Sequence, residues 1–163
     1  MSQDIVIRGI RSSEHSLLED FIYAAIFVPP GAEMPSREII FAPNVFMYIE
    51  NFGEENDCGV VAEQDGKIIG AAWTRIIPGY GHIDEHTPEL AIAVFPEYRG
   101  KGIGERLLIK LFKMLTERGY EQTSLAVQKE NAAYRLYERV GYEMIEERDE
   151  EYLMIKNLKG ELN

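Results

Sequence analysis

The chain has 163 residues, 45% apolar and 28% charged, without the run of ~18 apolar residues that a membrane helix needs, so it reads as one globular domain with room for a proper core. A net charge of −11 argues against nucleic acid as the main partner and is compatible with a cationic substrate. The lone cysteine, Cys58, excludes an internal disulfide or a cysteine zinc cluster, and MSQDIVIRG shows no signal-peptide pattern, so a cytosolic protein is expected.

Residues 4–10 (DIVIRGI) alternate as a strand does. Ser12 or Ser13 is placed to cap a helix over 13–27, with Leu17, Leu18, Phe21, Ile22 and Ala25 on one face. The prolines and glycine of VPPGAEMP (28–35) end it, and a second helical stretch runs from about 36 to 51, interrupted near Pro43. Strands at 58–63 and 67–77 flank Gln64-Asp65-Gly66, a hairpin signal because Asp-Gly tolerates positive φ. A loop over 78–88 leads to a strand at 89–95 (ELAIAVF).

A long helix is expected over 102–118, where Ile103, Leu107, Leu111 and Leu115 recur every four residues and Gly119 stops it. A strand at 123–127, a short helix at 131–140 and a charged hairpin of 142–147 with 151–156 complete the chain. The order describes an α/β domain with a mixed sheet. Hairpins supply antiparallel pairs, and the strand–helix–strand unit at 89–127 supplies a parallel one.

Between that strand and the long helix lies PEYRGKGIGERLL, with glycines at 100, 102 and 104. A P-loop needs G-x-x-x-x-G-K-[ST], which is absent. A dinucleotide fingerprint would need its third glycine at position 105, where Glu105 stands. A plain glycine-rich turn does not call for three glycines in five residues. A pyrophosphate cradle does, because the first N–H groups of a helix lack intrahelical partners and glycine lets an anion reach them. Arg99 and Lys101 add positive charge beside it.

The spacing R-x-x-G-x-G from Arg99 to Gly104, after LAIAVFPEY and before an amphipathic helix, resembles the acetyl-CoA signature of the GCN5-related N-acetyltransferases, the GNAT superfamily. NAAYRLYERVGYE (131–143) is similar to that family's later motif. The resemblance implies a single acyl-CoA N-acyltransferase domain over 1–163. Its fold would be a mixed, mostly antiparallel sheet of six to seven strands with four helices, splayed at a bulge between strands 89–95 and 123–127. Acetyl-CoA would be the cosubstrate, held by the backbone of Ile92, Ala93 and Val94, by Arg99, Gly100, Lys101, Gly102, Ile103 and Gly104, and by Asn131 and Tyr134. Apart from the resemblance, 92–94 also read as a buried core strand, Asn131 as a helix cap, and Gly141 as a C-cap residue in αL.

Tyr137 stands at the position of the family's general-acid tyrosine, where a phenol protonates the departing thiolate; the plain alternative is packing. Glu89, at the head of the cofactor-binding strand, is the first candidate for the base that deprotonates the amine. His82, Asp84, Glu85 and His86 are further candidates, and their spacing carries no metal-site signature. Tyr23, Phe27, Phe46, Tyr48 and Trp73 are read as either an acceptor pocket or core, and the segments 27–46 and the tip at Arg148 as acceptor-recognition regions. The expected activity is acetyl transfer to a primary amine, of a small molecule, peptide or protein, by direct attack in a ternary complex. The rival is a non-catalytic acyl-CoA sensor. The family also allows a homodimer, which the charged tip at 146–151 would oppose.

Overall fold

The computed structural model describes residues 4–159, and seven strands of them form one sheet. In chain order these are β1 (Val6–Gly9), β2 (Cys58–Gln64), β3 (Lys67–Arg75), β4 (Glu89–Val94), β5 (Gln122–Gln128), β6 (Tyr142–Glu147) and β7 (Glu151–Asn157). The α-helices are α1 (Leu18–Ala25), α2 (Pro43–Phe46), α3 (Ile103–Glu117) and α4 (Ala133–Arg139). Across the sheet the order is β1-β2-β3-β4-β5-β7-β6, antiparallel throughout except between β4 and β5. This is the mixed, mostly antiparallel architecture expected.

The period-two alternation of the central strands divides the core into two layers. Val60, Ala62 and Ala72 point to one face, where α3 covers them with Ile103, Leu107, Leu108, Leu111, Phe112 and Leu115, each at most 2% exposed. Val61, Ala71, Trp73 and Ala93 point to the other, against Leu18, Phe21 and Ile22 of α1 and the buried Ile40 and Ile49. Covering both faces explains why these strands read as nearly continuous apolar runs. At ~25 cal/mol per Å² of apolar surface removed from water, this burial is the main term holding the layers together.

Local chemistry places the turns. The β2–β3 hairpin closes on Asp65 (φ 51°) and Gly66 (φ 79°), the positive-φ pair its sequence calls for. The expected helix over 13–27 divides into a 3₁₀ stretch, Ser12–Leu17, followed by α1. Neither Ser12 nor Ser13 caps it. Glu14 does so by accepting from the Arg11 N–H (2.8 Å), and Arg8 holds that carboxylate in place (2.6 Å). The 36–51 stretch is a 3₁₀ segment, Arg37–Phe41, followed by α2, with Ser36 accepting from the Glu38 N–H and Pro43 opening the second helix.

Between β4 and β5 a single residue pair, Glu89 with Ser124, is in register, and beyond it the strands part. The bulge expected in β4 is not there: its register with β3 runs unbroken from Gly70–Val94 to Arg75–Glu89. A loop occupies the base of the splay instead. Gly81 lies so close to β5 that a Cβ on it would stand 2.8–2.9 Å from the backbone of Leu125 and Ala126, and its carbonyl accepts from Ser124 Oγ (2.6 Å).

Candidate active site

The splay opens onto a groove of about 1120 Å³. Its floor includes Ile92, Ala93 and Val94 of β4, one wall comes from 23–28, and it runs past Arg99, Gly100, Gly102, Ile103 and Gly104 at the start of α3. Asn131 and Tyr137 stand at its other end. No β5 residue pairs with β4 beyond Glu89, so backbone groups on that edge of 92–94 are open to an extended ligand.

The glycines divide by role. Gly100 (φ 77°) and Gly102 (φ 80°) adopt the left-handed conformation, and a Cβ on either would meet open space. Gly104 has no positive φ; a Cβ there would sit 3.1 Å from Leu136 Cδ2, so its absence lets α3 and α4 approach. The first bond within α3 runs from the Arg106 N–H to the Gly102 carbonyl (3.2 Å), leaving the N–H groups of Ile103, Gly104 and Glu105 without helical partners. With open space before them and a partial positive charge from the helix, they suit a phosphate.

Arg99 is tied by Nε to the Val94 carbonyl (2.8 Å) and reaches the Ala24 carbonyl (3.4 Å), so it joins β4 to the wall of the groove. Lys101 does not line the groove; its ammonium lies 5.7 Å from the centre of the Tyr98 ring. Lys67, which the sequence did not mark, does line it and approaches the same ring at the same distance. Nothing local could have revealed Lys67, because it reaches the groove from the far end of a hairpin. The other basic wall residues, Arg37 and Arg139, are paired with Asp20 (2.6 Å) and Glu105 (2.7 Å).

Asn131 acts as a cap: its Oδ1 accepts from the Ala133 N–H (2.9 Å), and its position on the groove is fixed by that bond. Tyr134 turns away, packing its ring on Tyr152 with centroids 5.1 Å apart, and does not line the groove. Three residues later, most of a turn further along α4, Tyr137 lines it. Its ring meets Tyr142 edge-on (5.8 Å), and burial pushes its phenol up to about 12, so it carries its proton throughout the neutral range.

A second, smaller cavity of about 180 Å³ adjoins the groove, and Ala25, Ile26, Ile92, Asn131 and Tyr137 line both. Glu89 is among its lining residues, with Asn44, Tyr48, Tyr80 and Glu151. Glu89 is 2% exposed; its Oε2 accepts from the Tyr48 hydroxyl and from the Gly81 N–H (2.9 Å), while Oε1 has no hydrogen-bond partner. Burial raises its pKa above the usual carboxylate range, and those two donors pull against that shift. Of the proposed pocket aromatics, only Tyr48 lines this cavity; Tyr23 and Phe27 line the groove, and Trp73 is core, donating to the Tyr48 carbonyl (2.8 Å).

The remaining base candidates, His82, Asp84, Glu85 and His86, line neither cavity. His82 is exposed, with Nδ1 3.0 Å from the Ile77 carbonyl. Asp84 closes a polar turn by accepting from the His86 N–H and the Thr87 hydroxyl (both 2.8 Å). Among the described residues, no group of three His, Cys, Asp or Glu side chains is arranged to hold a metal ion. No helix among them is long and apolar enough to cross a membrane. Cys58 is buried in the α3-side core, outside both cavities, and burial raises its thiol pKa.

The family model described as "Acetyltransferase (GNAT) family" matches residues 23–142. The chain is 35% identical over 85 residues to a mycothiol acetyltransferase of Kocuria rhizophila, covering 51% of this chain and 28% of that protein. It is also 35% identical over 89 residues to the [ribosomal protein bS18]-alanine N-acetyltransferase of Haemophilus influenzae, covering 55% and 57%. The matches thus span less than two thirds of these relatives' own length. The fold superposes on the PaiA N-acetyltransferase of Thermoplasma acidophilum, solved with coenzyme A, with TM-score 0.68, 19% identity and coverage of 94% and 99%. On the ribosomal-protein-S18-alanine N-acetyltransferase of Escherichia coli the TM-score is 0.66, with 23% identity and coverage of 95% and 94%.

Proposed function

Because the chain belongs to the Acetyltransferase (GNAT) family, we propose that it transfers the acetyl group of acetyl-CoA directly to a primary amine. The observation that carries this reading is the junction of the two cavities. Tyr137 lines both, and the buried, half-satisfied Glu89 lines the smaller one. A proton donor and a proton acceptor therefore flank the point where an acyl group in the groove would meet a nucleophile in the cavity.

The groove fits the cosubstrate. The N–H groups of 103–105 and the open space over Gly100 and Gly102 receive the pyrophosphate, with Arg99 and Lys67 adding charge. The free edge of Ile92, Ala93 and Val94 bonds the amide-bearing arm as an added strand would. When bound, acetyl-CoA supplies an activated thioester carbonyl. Glu89 takes a proton from the ammonium so that the nitrogen lone pair can attack. The new C–N bond forms as the C–S bond breaks, Tyr137 gives its proton to the departing sulfur, and the second proton, shed by the acylated nitrogen, restores the Tyr137 phenol.

An acyl-enzyme route would need a nucleophile at the junction, and Cys58 is buried away from it. The acceptor is a primary amine, and Glu89 on the wall of the cavity favours one that arrives as a cation.

The reading is tested by following thiol release from acetyl-CoA with a panel of primary amines, in wild type and in Tyr137→Phe. Amine-dependent release that drops sharply in the variant, with acetyl-CoA affinity kept, supports it. Acetyl-CoA binding with no amine-dependent release under any condition would favour a sensor.

A further inference from the structure

Between Pro78 and His82 the sequence reads Gly79-Tyr80-Gly81, and both glycines are there for want of space rather than for a positive φ. A Cβ on Gly79 would stand 2.5 Å from the Tyr48 hydroxyl and 2.7 Å from both Glu89 oxygens; one on Gly81 would strike the backbone of β5. The loop is therefore threaded through the narrowest part of the site, and only the middle residue carries a side chain.

That residue is held from three sides. The Tyr80 N–H donates to the Tyr48 hydroxyl (3.1 Å), and its carbonyl accepts from Arg148 at the β6–β7 tip (2.7 Å). Its hydroxyl accepts from Asn44 Nδ2 of α2. Arg148 is itself fixed by Glu146 (2.7 Å) and Glu151 (3.0 Å). Tyr80 thus spans the rim of the smaller cavity from α2 to the closing hairpin, 51% exposed on its outer side and lining the cavity on its inner side. Bonds to both its backbone and its ring hydroxyl hold Tyr80 over the cavity as a ceiling.

The space beneath it is about 180 Å³, small beside the 1120 Å³ of the groove it adjoins. Val45, Ile22 and Ala25 supply apolar walls, and Glu89 supplies charge at the inner end. We propose that Tyr80 is the specificity-determining residue of this site, a ceiling that admits a slim, unbranched primary alkylamine and turns away wider ones. The proposal rests on the smaller cavity being the amine site. It goes beyond it in naming the shape of the acceptor and the residue that imposes it.

The test compares butylamine with cyclohexylamine in wild type, Tyr80→Ala and Tyr80→Phe. Affinities are read by calorimetry on the CoA-loaded protein, and kcat/KM is read with acetyl-CoA. Wild type should favour butylamine by ~10-fold or more, the scale on which a pocket rejects excess bulk. Tyr80→Ala should bring the ratio close to one while acetyl-CoA affinity stays unchanged, and Tyr80→Phe, which keeps the ring, should retain the preference. A ratio unaltered in Tyr80→Ala, equal affinities in wild type, or no binding of either amine would overturn the proposal. Because binding gives the ratio without turnover, an absence of acetyl transfer would sink the function above while the affinities still decided this point.

Discussion

The Tyr48 hydroxyl donates to Oε2 of Glu89, and Oε1 of the same buried carboxylate is left without a partner. Leaving a buried acceptor unpaired costs about 1–3 kcal/mol, so Oε1 of this 2% exposed carboxylate is an acceptor that no side chain among the described residues uses. Tyr48 comes from the segment after α2 and Glu89 from the head of β4, so the pair joins two parts of the chain at the wall of the cavity.

Glu89→Gln keeps an acceptor for Tyr48 and Gly81 but cannot take a proton. Its kcat/KM should fall by ~10²–10⁴, the usual worth of a general base. Burial raises the pKa of Glu89, and the ionised form is the active one, so wild-type kcat/KM should rise with pH through a value above the ordinary carboxylate range. The raised pKa means that ionisation disfavours the folded state as pH climbs. Glu89→Gln, which never ionises, should therefore melt no lower than wild type at neutral pH. A variant that kept its rate and its acid limb would exclude Glu89 as the base.

Tyr137→Phe should lower kcat by ~10²-fold or more, leaving acetyl-CoA affinity intact by calorimetry. The pH dependence of folding gives a second reading. Burial pushes Tyr137 up to about 12 and raises Tyr48 and Tyr142 as well, so each favours the folded state while protonated. Stability from these groups is complete below the unfolded tyrosine value of ~10 and is lost as pH climbs through the folded values. Unfolding free energy should be level from pH 7 to about 9 and decline above 10, less steeply in Tyr137→Phe. A decline that began near neutrality would contradict this account.

Alanine at Gly102 and at Gly104 should fail differently. Gly102→Ala forces a side chain into a left-handed conformation, costing ~1–2 kcal/mol, and disturbs the N–H groups at the head of α3. Acetyl-CoA affinity should drop. Gly104→Ala, at the second residue of α3, gains part of the ~1 kcal/mol of helix propensity of an interior site, against a contact of 3.1 Å with the flexible end of Leu136. Its melting temperature should change little and its acetyl-CoA affinity less than that of Gly102→Ala. The reverse order of affinities would mean that Gly104, not Gly102, admits the cosubstrate.

Asp57→Ala tests the support behind Tyr48. Arg75, 5% exposed, donates to Asp57 Oδ1 (3.0 Å) and to the Met47 carbonyl (2.9 Å), one residue before Tyr48. Asp57 Oδ2 also accepts from the N–H groups of Gly53 and Glu54. Removing it leaves the buried Arg75 with only the exposed Glu54 carboxylate (3.8 Å) as counter-charge, a loss of ~3 kcal/mol by urea unfolding. A loss below ~1 kcal/mol would mean that the pair is solvated, as surface pairs are.

Much of the fold was legible in local chemistry. The four-residue recurrence of Ile103, Leu107, Leu111 and Leu115 located α3, and Asp65-Gly66 placed the first hairpin. The helix over 13–27 was less so, because Ser12 and Ser13 offered a cap while Glu14, held by Arg8 from the end of β1, took that role. The site shows the same division. Gly100, Gly102, Asn131 and Tyr137 line one groove, whereas Tyr134 turns to Tyr152 and Lys101 to Tyr98.

Spacing and residue type alone determined where α3 lies, which faces are apolar and which glycines stand before that helix, because those properties depend on neighbours a few residues apart. The tertiary structure alone decided that Gly104 serves Leu136, that Lys67 reaches the groove, that Glu89 keeps one oxygen unpartnered, and that Gly79 and Gly81 clear a path for Tyr80. Each of these is a contact between segments remote in sequence, where the space left by one backbone sets what another residue can be.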